Sequence, residues 1–127
     1  MQNLLFVFIG GGAGSVIRYF LSKTAAKPFI LIPALQTPTF VANIVGSLLL
    51  GILIALFQKD KIDEGLFLFL SVGFCGGLTT FSTFILDLIK IKQSGDTLGA
   101  IIYLFLSLTV SILLAIGALA GISKLVE

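Results

Sequence analysis

Six side chains in two helical registers offer polar chemistry inside an apolar chain. Thr39, Asn43 and Ser47 in TFVANIVGS are spaced by four, and Tyr103, Ser107 and Ser111 in YLFLSLTVS repeat that spacing. Residues four apart share one face of an α-helix, so each set forms a stripe. The stripes carry hydroxyl and amide groups and no fixed charge. Such a set suits a hydrated or anionic solute that must move on, since conduction needs binding that is adequate but not deep. The competing reading is helix-to-helix hydrogen bonding, the usual work of a single Ser or Thr in a membrane span. Asn43 stands evenly between the two, because its amide brings two N–H donors where packing alone needs none. Thr109 falls on another face.

A third constellation is GFCGGLTTFSTF, residues 73 to 84, which sets three glycines, four hydroxyls (Thr79, Thr80, Ser82, Thr83) and three phenylalanines in one apolar run. Adjacent glycines followed by two threonines lower helix propensity, and threonine hydroxyls can satisfy the backbone groups that a break releases. A helix break is therefore expected between Gly76 and Thr80. A break inside a membrane bares carbonyls, which suit a dehydrated cation, and a new helix N-terminus, which suits an anion. Phe81 and Phe84, three apart, project on nearby sides of the helix that follows. The positive edge of a phenyl ring can touch an anion without trapping it. Packing or lipid contact is the ordinary alternative for both rings.

These residues must be positioned by membrane helices. The chain has 127 residues, 57% hydrophobic and 11% charged, with mean hydropathy +1.17, whereas soluble domains are about 25% charged. Four apolar stretches, Leu4 to Leu21, Thr39 to Phe57, Leu66 to Ile91 and Leu98 to Ser123, each approach the ~20 residues that cross a bilayer. The expected fold is an all-α membrane protein, a single domain over residues 1–127 with four transmembrane helices and the third broken near its centre. The first segment does not read as a signal peptide, because Met1 to Asn3 lacks a basic side chain. Residues 22 to 38 read as an extended or interfacial link, and residues 58 to 65 and 92 to 96 as polar turns.

Charge and absence narrow the function. If the helices alternate in direction, Arg18, Lys23, Lys27, Lys90 and Lys92 lie on one side and Lys59, Lys61 and Lys124 on the other. That split orients the chain weakly, so insertion both ways and one fixed orientation stand level. Lys23 and Lys27 either gather anions at an entrance or solvate a loop, and the second is the ordinary reading. There is no His, and Asp87, toward the end of its helix, is the sole acid within a span, which leaves proton-coupled exchange without an obvious carrier. No cluster of His, Cys and carboxylates suggests an enzyme. GGGAGS at 10 to 15 lacks the Lys of a phosphate loop, so neither nucleotide nor nucleic acid is expected as a partner. Arg18 has three readings: snorkelling to the interface, holding anions at a pore mouth, or tying a broken helix through its carbonyls. Small-xxx-small pairs at Gly10/Gly14, Ser47/Gly51, Gly73/Gly77 and Gly117/Gly121 fit a multimer or packing within one chain.

GFCGGLTTFSTF, together with the Gly-rich first helix ending in IRYF and the TFVAN segment, resembles the Fluc family of fluoride channels, also called CrcB proteins. The likeness runs through all four helices in order. It implies an antiparallel dual-topology homodimer in the inner or plasma membrane of a prokaryote, in contact with lipid, with two fluoride pores and a structural sodium ion at the dimer centre. By the same resemblance Phe81 and Phe84 line the pores with their ring edges, Asn43 and Thr39 belong to the pore, and Tyr103, Ser107 and Ser111 form its polar track. Gly76 and Thr79 offer carbonyls to sodium, and Arg18 is the arginine of the first helix, at an anion vestibule. Asp87 stands where the family often has glutamate. The implied function is passive export of cytoplasmic fluoride. A small dual-topology secondary transporter and a non-transporting assembly subunit are the other two readings of the residues.

Overall fold

The structure, a computed structural model, describes residues 1–24 and 37–126, and all regular structure among them is helical. Four segments are long and apolar enough to cross a bilayer: α1 (Gln2–Thr24), α2 (Pro38–Gln58), a composite third span over Glu64–Gln93, and α6 (Thr97–Leu125). The third span is assembled from α3 (Glu64–Phe67), a π-helix (Leu68–Cys75), α4 (Gly76–Leu78) and α5 (Phe81–Gln93). The four segments expected from hydropathy lie inside these spans. Most of the expected link over 22 to 38, and Lys27 with it, lies outside the described residues.

The helices start where the sequence supplies caps. The Thr37 hydroxyl accepts from the Phe40 N–H, with Pro38 in the first turn. Asp63 accepts from the Leu66 N–H at 2.9 Å, and Asp96 from the Gly99 N–H at 2.7 Å. A left-handed Asp60 (φ 52°) ends α2 and lets the Lys61 N–H reach the Leu56 carbonyl at 2.9 Å. Asp96→Ala removes the cap of the longest helix. It is expected to lower stability by about 1 kcal/mol, read as a lower melting temperature in detergent.

Contacts between helices fix their directions. Phe6 lies against Gly65, Gly10 against Gly73 and Gly14 against Leu78, so α1 and the third span run parallel. Thr37 meets Tyr103 and Gly51 meets Ala115, so α2 and α6 run parallel as well. Phe57 stacks on Phe67 at 4.3 Å while Asn43 reaches Thr80, so the two pairs are antiparallel to each other. Exposed Lys23, Lys90 and Lys92 thus share one end of the bundle, and Lys61 and Lys124 the other.

Glycine governs the closest approach. A Cβ on Gly77 would lie 3.0 Å from the Gly11 Cα and closer still to its carbonyl, and one on Gly10 would lie 3.0 Å from the Phe74 nitrogen. The α1 backbone therefore rests on the backbone of the third span. Gly51 plays the same part against Ala115 of α6, whereas a Cβ on Gly117 or Gly121 would meet no atom within 4 Å among the described residues. Three of the four small-residue pairs therefore serve packing within the chain. Phe8, Leu113, Ile116 and other large apolar side chains face outward, as a hydrocarbon surround favours. The single cysteine, Cys75, is 3% exposed.

Candidate functional site

The third span breaks at Thr79 (φ −78°, ψ 155°) and Thr80 (φ −156°, ψ 128°), both extended, between α4 and α5. The break falls within the expected Gly76–Thr80 window and near the middle of the span. Gly76 itself is helical (φ −63°, ψ −34°), and the only positive φ angles among the described residues are at Asp60 and Gly95. Gly77 thus permits close packing on Gly11, while the extended backbone belongs to the threonines.

A polar group freed by the break would cost ~1–3 kcal/mol if left bare, and several are met by side chains of the break itself and of the neighbouring helices. The Thr79 N–H and hydroxyl both donate to the Cys75 carbonyl at 2.9 Å. The Thr80 N–H donates to Asn43 Oδ1 at 2.8 Å, and Asn43 Nδ2 donates to the Thr80 carbonyl at 3.2 Å. Thr80 Oγ1 caps α5 by accepting from the Thr83 N–H at 3.3 Å. From α1, Arg18 Nε donates to the Gly77 carbonyl at 3.1 Å, with the Ser15 hydroxyl at 3.5 Å from the same oxygen. Of the three readings of Arg18, this contact is the tie to a broken helix.

The amides of Thr80 and Thr83 are the groups that would serve the carbonyls of Gly76 and Thr79 in an unbroken helix. They are engaged by Asn43 and by Thr80 Oγ1 instead. The break thus releases the two carbonyls singled out from the sequence.

Beside the break lies a groove of about 380 Å³ between α2, the third span and α6. Asn43 and Ser47 reach it from α2, Thr79, Phe81 and Phe84 from the break and α5, and Ser107 and Ser111 from α6. The two stripes therefore converge on one space. Thr39, buried one turn before Asn43, does not line it, and neither does Arg18, which lies on the α1 side of the break.

The aromatic residues make a ladder. Phe81 and Phe84 have centroids 5.6 Å apart, tilted by 39°, and Phe84 meets Tyr103 at 5.2 Å. Phe84 and Tyr103 are buried together, with Phe40, Leu88, Ile91 and Leu104 around them, while Phe81 is 69% exposed. Tyr103 therefore backs Phe84 rather than facing the groove. Its hydroxyl accepts from Thr37 Oγ1 at 3.1 Å and lies 3.4 Å from Asp87 Oδ2, a long hydrogen bond. That places Asp87 at the end of the aromatic ladder, a partner the sequence did not reveal because it is set by α6. Ser107 is 4% exposed; its hydroxyl lies near the Tyr103 hydroxyl but makes no well-formed hydrogen bond among the described residues. A buried hydroxyl without such a bond, beside a groove, has a donor to spare.

Four spans, a helix broken near the middle of its span and, beside the break, an apolar groove that carries hydroxyls and one amide but no charged side chain among the described residues define a small multi-pass membrane protein organised around irregular backbone. The chain belongs to the CrcB family: the family described as CrcB-like protein, Camphor Resistance (CrcB), matches residues 5–121. It is 39% identical over 126 residues to the fluoride-specific ion channel FluC of Erwinia tasmaniensis, covering 98% of both chains. It is 40% identical over 120 residues to the protein of that name from Pectobacterium carotovorum subsp. carotovorum, covering 94% of this chain and 92% of the relative. The Bacteroides fragilis protein of that name is 38% identical over 115 residues, covering 89% and 90%.

Proposed function

We propose that this chain is a fluoride-selective ion channel that lets fluoride leave the cytoplasm passively. It conducts rather than catalyses. Family membership and near full-length identity to fluoride-specific channels support this reading. The observation that carries it in the structure is the groove, where Ser107 holds a buried hydroxyl with no well-formed hydrogen bond among the described residues beside Ser111, Asn43 and the Phe81–Phe84 pair. Fluoride is small and strongly hydrated. Hydroxyl and amide donors with positive ring edges replace part of that hydration, and the absence of a fixed charge along the groove avoids a deep well. A narrow path then discriminates against larger halides.

The working unit is read as an antiparallel homodimer with two pores in the cell membrane of a prokaryote. Phe81, 69% exposed on the bundle surface, and the groove mouth beside it supply the face on which a second copy completes the walls. Gly76 and Thr79 are read as ligands of a structural sodium ion. Their carbonyls are neutral oxygen donors released from the helix ladder, the kind of group a hard monovalent cation accepts. Two from each subunit would make a set of four. The bound ion would supply a central positive charge, with Arg18 lending a second one on the α1 side.

Efflux from liposomes tests the reading. Purified protein is reconstituted with fluoride in one batch and chloride in another, with a potassium ionophore to collapse the voltage. Rapid fluoride release without chloride release supports the channel, and release of neither from folded protein rejects it. Ser107→Ala with Ser111→Ala is expected to slow fluoride efflux by about tenfold, about 1.4 kcal/mol on the barrier, while the protein elutes as wild type. Loss of assembly with no change in flux per folded molecule would make these serines helix glue.

A further inference from the structure

We infer that Asn43 is a positioning residue that keeps the third span broken, by holding both backbone groups of Thr80 in a conformation that no helix can present. The inference is independent of which solute passes; only the flux readout below rests on the fluoride reading.

Neither proline nor left-handed glycine causes the break. No proline occurs between Pro38 and the end of the chain, so none interrupts the third span. Neither Gly76 nor Gly77 adopts the left-handed backbone that only glycine enters freely, and Gly76 is helical. The ladder is intact up to the Thr79 N–H, which still donates to the Cys75 carbonyl. The next bond in that ladder would run from the Thr80 N–H to the Gly76 carbonyl. It is the bond that Asn43 replaces, with its Oδ1 at 2.8 Å from the Thr80 nitrogen.

The geometry of the replacement selects one conformation. In an extended residue the N–H and C=O point to the same side, so one partner can engage both, as a facing strand does. In a helix the two groups of one residue point to opposite ends of the axis, and one side-chain amide cannot span them. Asn43 makes both bonds at once, to the N–H at 2.8 Å and to the carbonyl at 3.2 Å. It therefore has a differential interaction with the broken form, which is the requirement for shifting such an equilibrium. Arg18 is not equivalent. A carbonyl oxygen has two lone pairs, so the Gly77 carbonyl can accept from Arg18 and from a helical amide together.

Two consequences lie at the site. The lock on Thr80 leaves the Gly76 carbonyl released and sets where α5, with Phe81 and Phe84, begins. It also commits Oδ1 and one amide hydrogen of Asn43 to the backbone, so a single N–H is left for the groove that the side chain lines.

The sequence offers a clean probe, because Thr79–Thr80 is its only Thr-Thr pair. Uniform 13C,15N-threonine labelling gives one sequential Thr-to-Thr correlation in solid-state NMR of the protein in lipid, and it reports Thr80 directly. In Asn43→Leu, of similar size and without hydrogen-bonding groups, the Thr80 Cα signal is expected to move downfield and Cβ upfield, from extended to helical values, with fluoride efflux lost. In Asn43→Asp, which keeps an oxygen for the Thr80 N–H, Thr80 is expected to stay extended while efflux falls, because the amide donors are gone. Should Asn43→Leu fail to fold, Asn43→Ser, too short to reach Thr80, gives the same reading. Extended Thr80 signals in Asn43→Leu or Asn43→Ser would overturn the inference, and loss of efflux with those signals unmoved would make Asn43 solely a donor to the solute. A wild-type protein that passes no fluoride would sink the channel reading and leave the NMR outcome to judge the lock.

Discussion

Phe84→Ile is expected to bring fluoride efflux down by about 100-fold or more, equivalent to about 2.7 kcal/mol on the barrier, without loss of the folded protein. The ring is buried between Phe81 and Tyr103, at centroid distances of 5.6 and 5.2 Å. Its packing value is that of any large apolar side chain, and isoleucine restores most of it, so the cost to stability stays well below the ~3–5 kcal/mol of truncation to alanine. What isoleucine cannot restore is the positive edge of an aromatic ring, the part proposed for Phe84 in the lining of the groove. Phe81→Ile should behave alike in flux and cost less in stability, since that ring is largely exposed in the single chain. Efflux assays paired with melting curves separate the two quantities. Wild-type flux in both variants would remove the rings from the mechanism.

The second large effect divides two neighbours. Gly77→Ala places a methyl into the backbone of Gly11, with no flexible side chain to yield, so α1 must move off the third span. The expected result is a protein that is destabilised by several kcal/mol, in the upper range for overpacking, and recovered poorly from membranes. Gly76→Ala meets nothing within 4 Å among the described residues. It is expected to leave the melting temperature of the single subunit unchanged, yet to disturb flux or assembly if a second copy approaches that face. Size-exclusion profiles and melting curves decide the first variant, and flux per folded molecule decides the second.

The spans were legible because apolar length is a local property, and the break because GGLTT concentrates weak helix formers. The cause of the break was not legible. Glycine was the natural suspect, yet the extended residues are Thr79 and Thr80, held by Asn43 from another helix. The π-helix over Leu68–Cys75 left no mark either, for its apolar run reads like any helix. Both stripes converged on the groove, but Thr39 and Tyr103 turned inward, since a spacing of four defines a face without saying what that face meets. For Arg18 the sequence left three roles open, and its Nε lies on the Gly77 carbonyl because α1 packs against the third span. Asp87 acquired a partner only when α6 brought Tyr103 beside it.

The burial of Cys75 makes the native chain a blank background for thiol labelling. Its sulfur is walled in at 3% exposure, so a bulky, membrane-impermeant maleimide has nothing to attack. One new cysteine at Lys92 or at Lys61, on opposite ends of the bundle and both exposed, then reports only its own side of the membrane. In sealed vesicles a single orientation gives complete labelling at one of these positions and none at the other. Insertion in both senses gives half at each, so the wild-type sequence needs no cysteine removed before its orientation is counted.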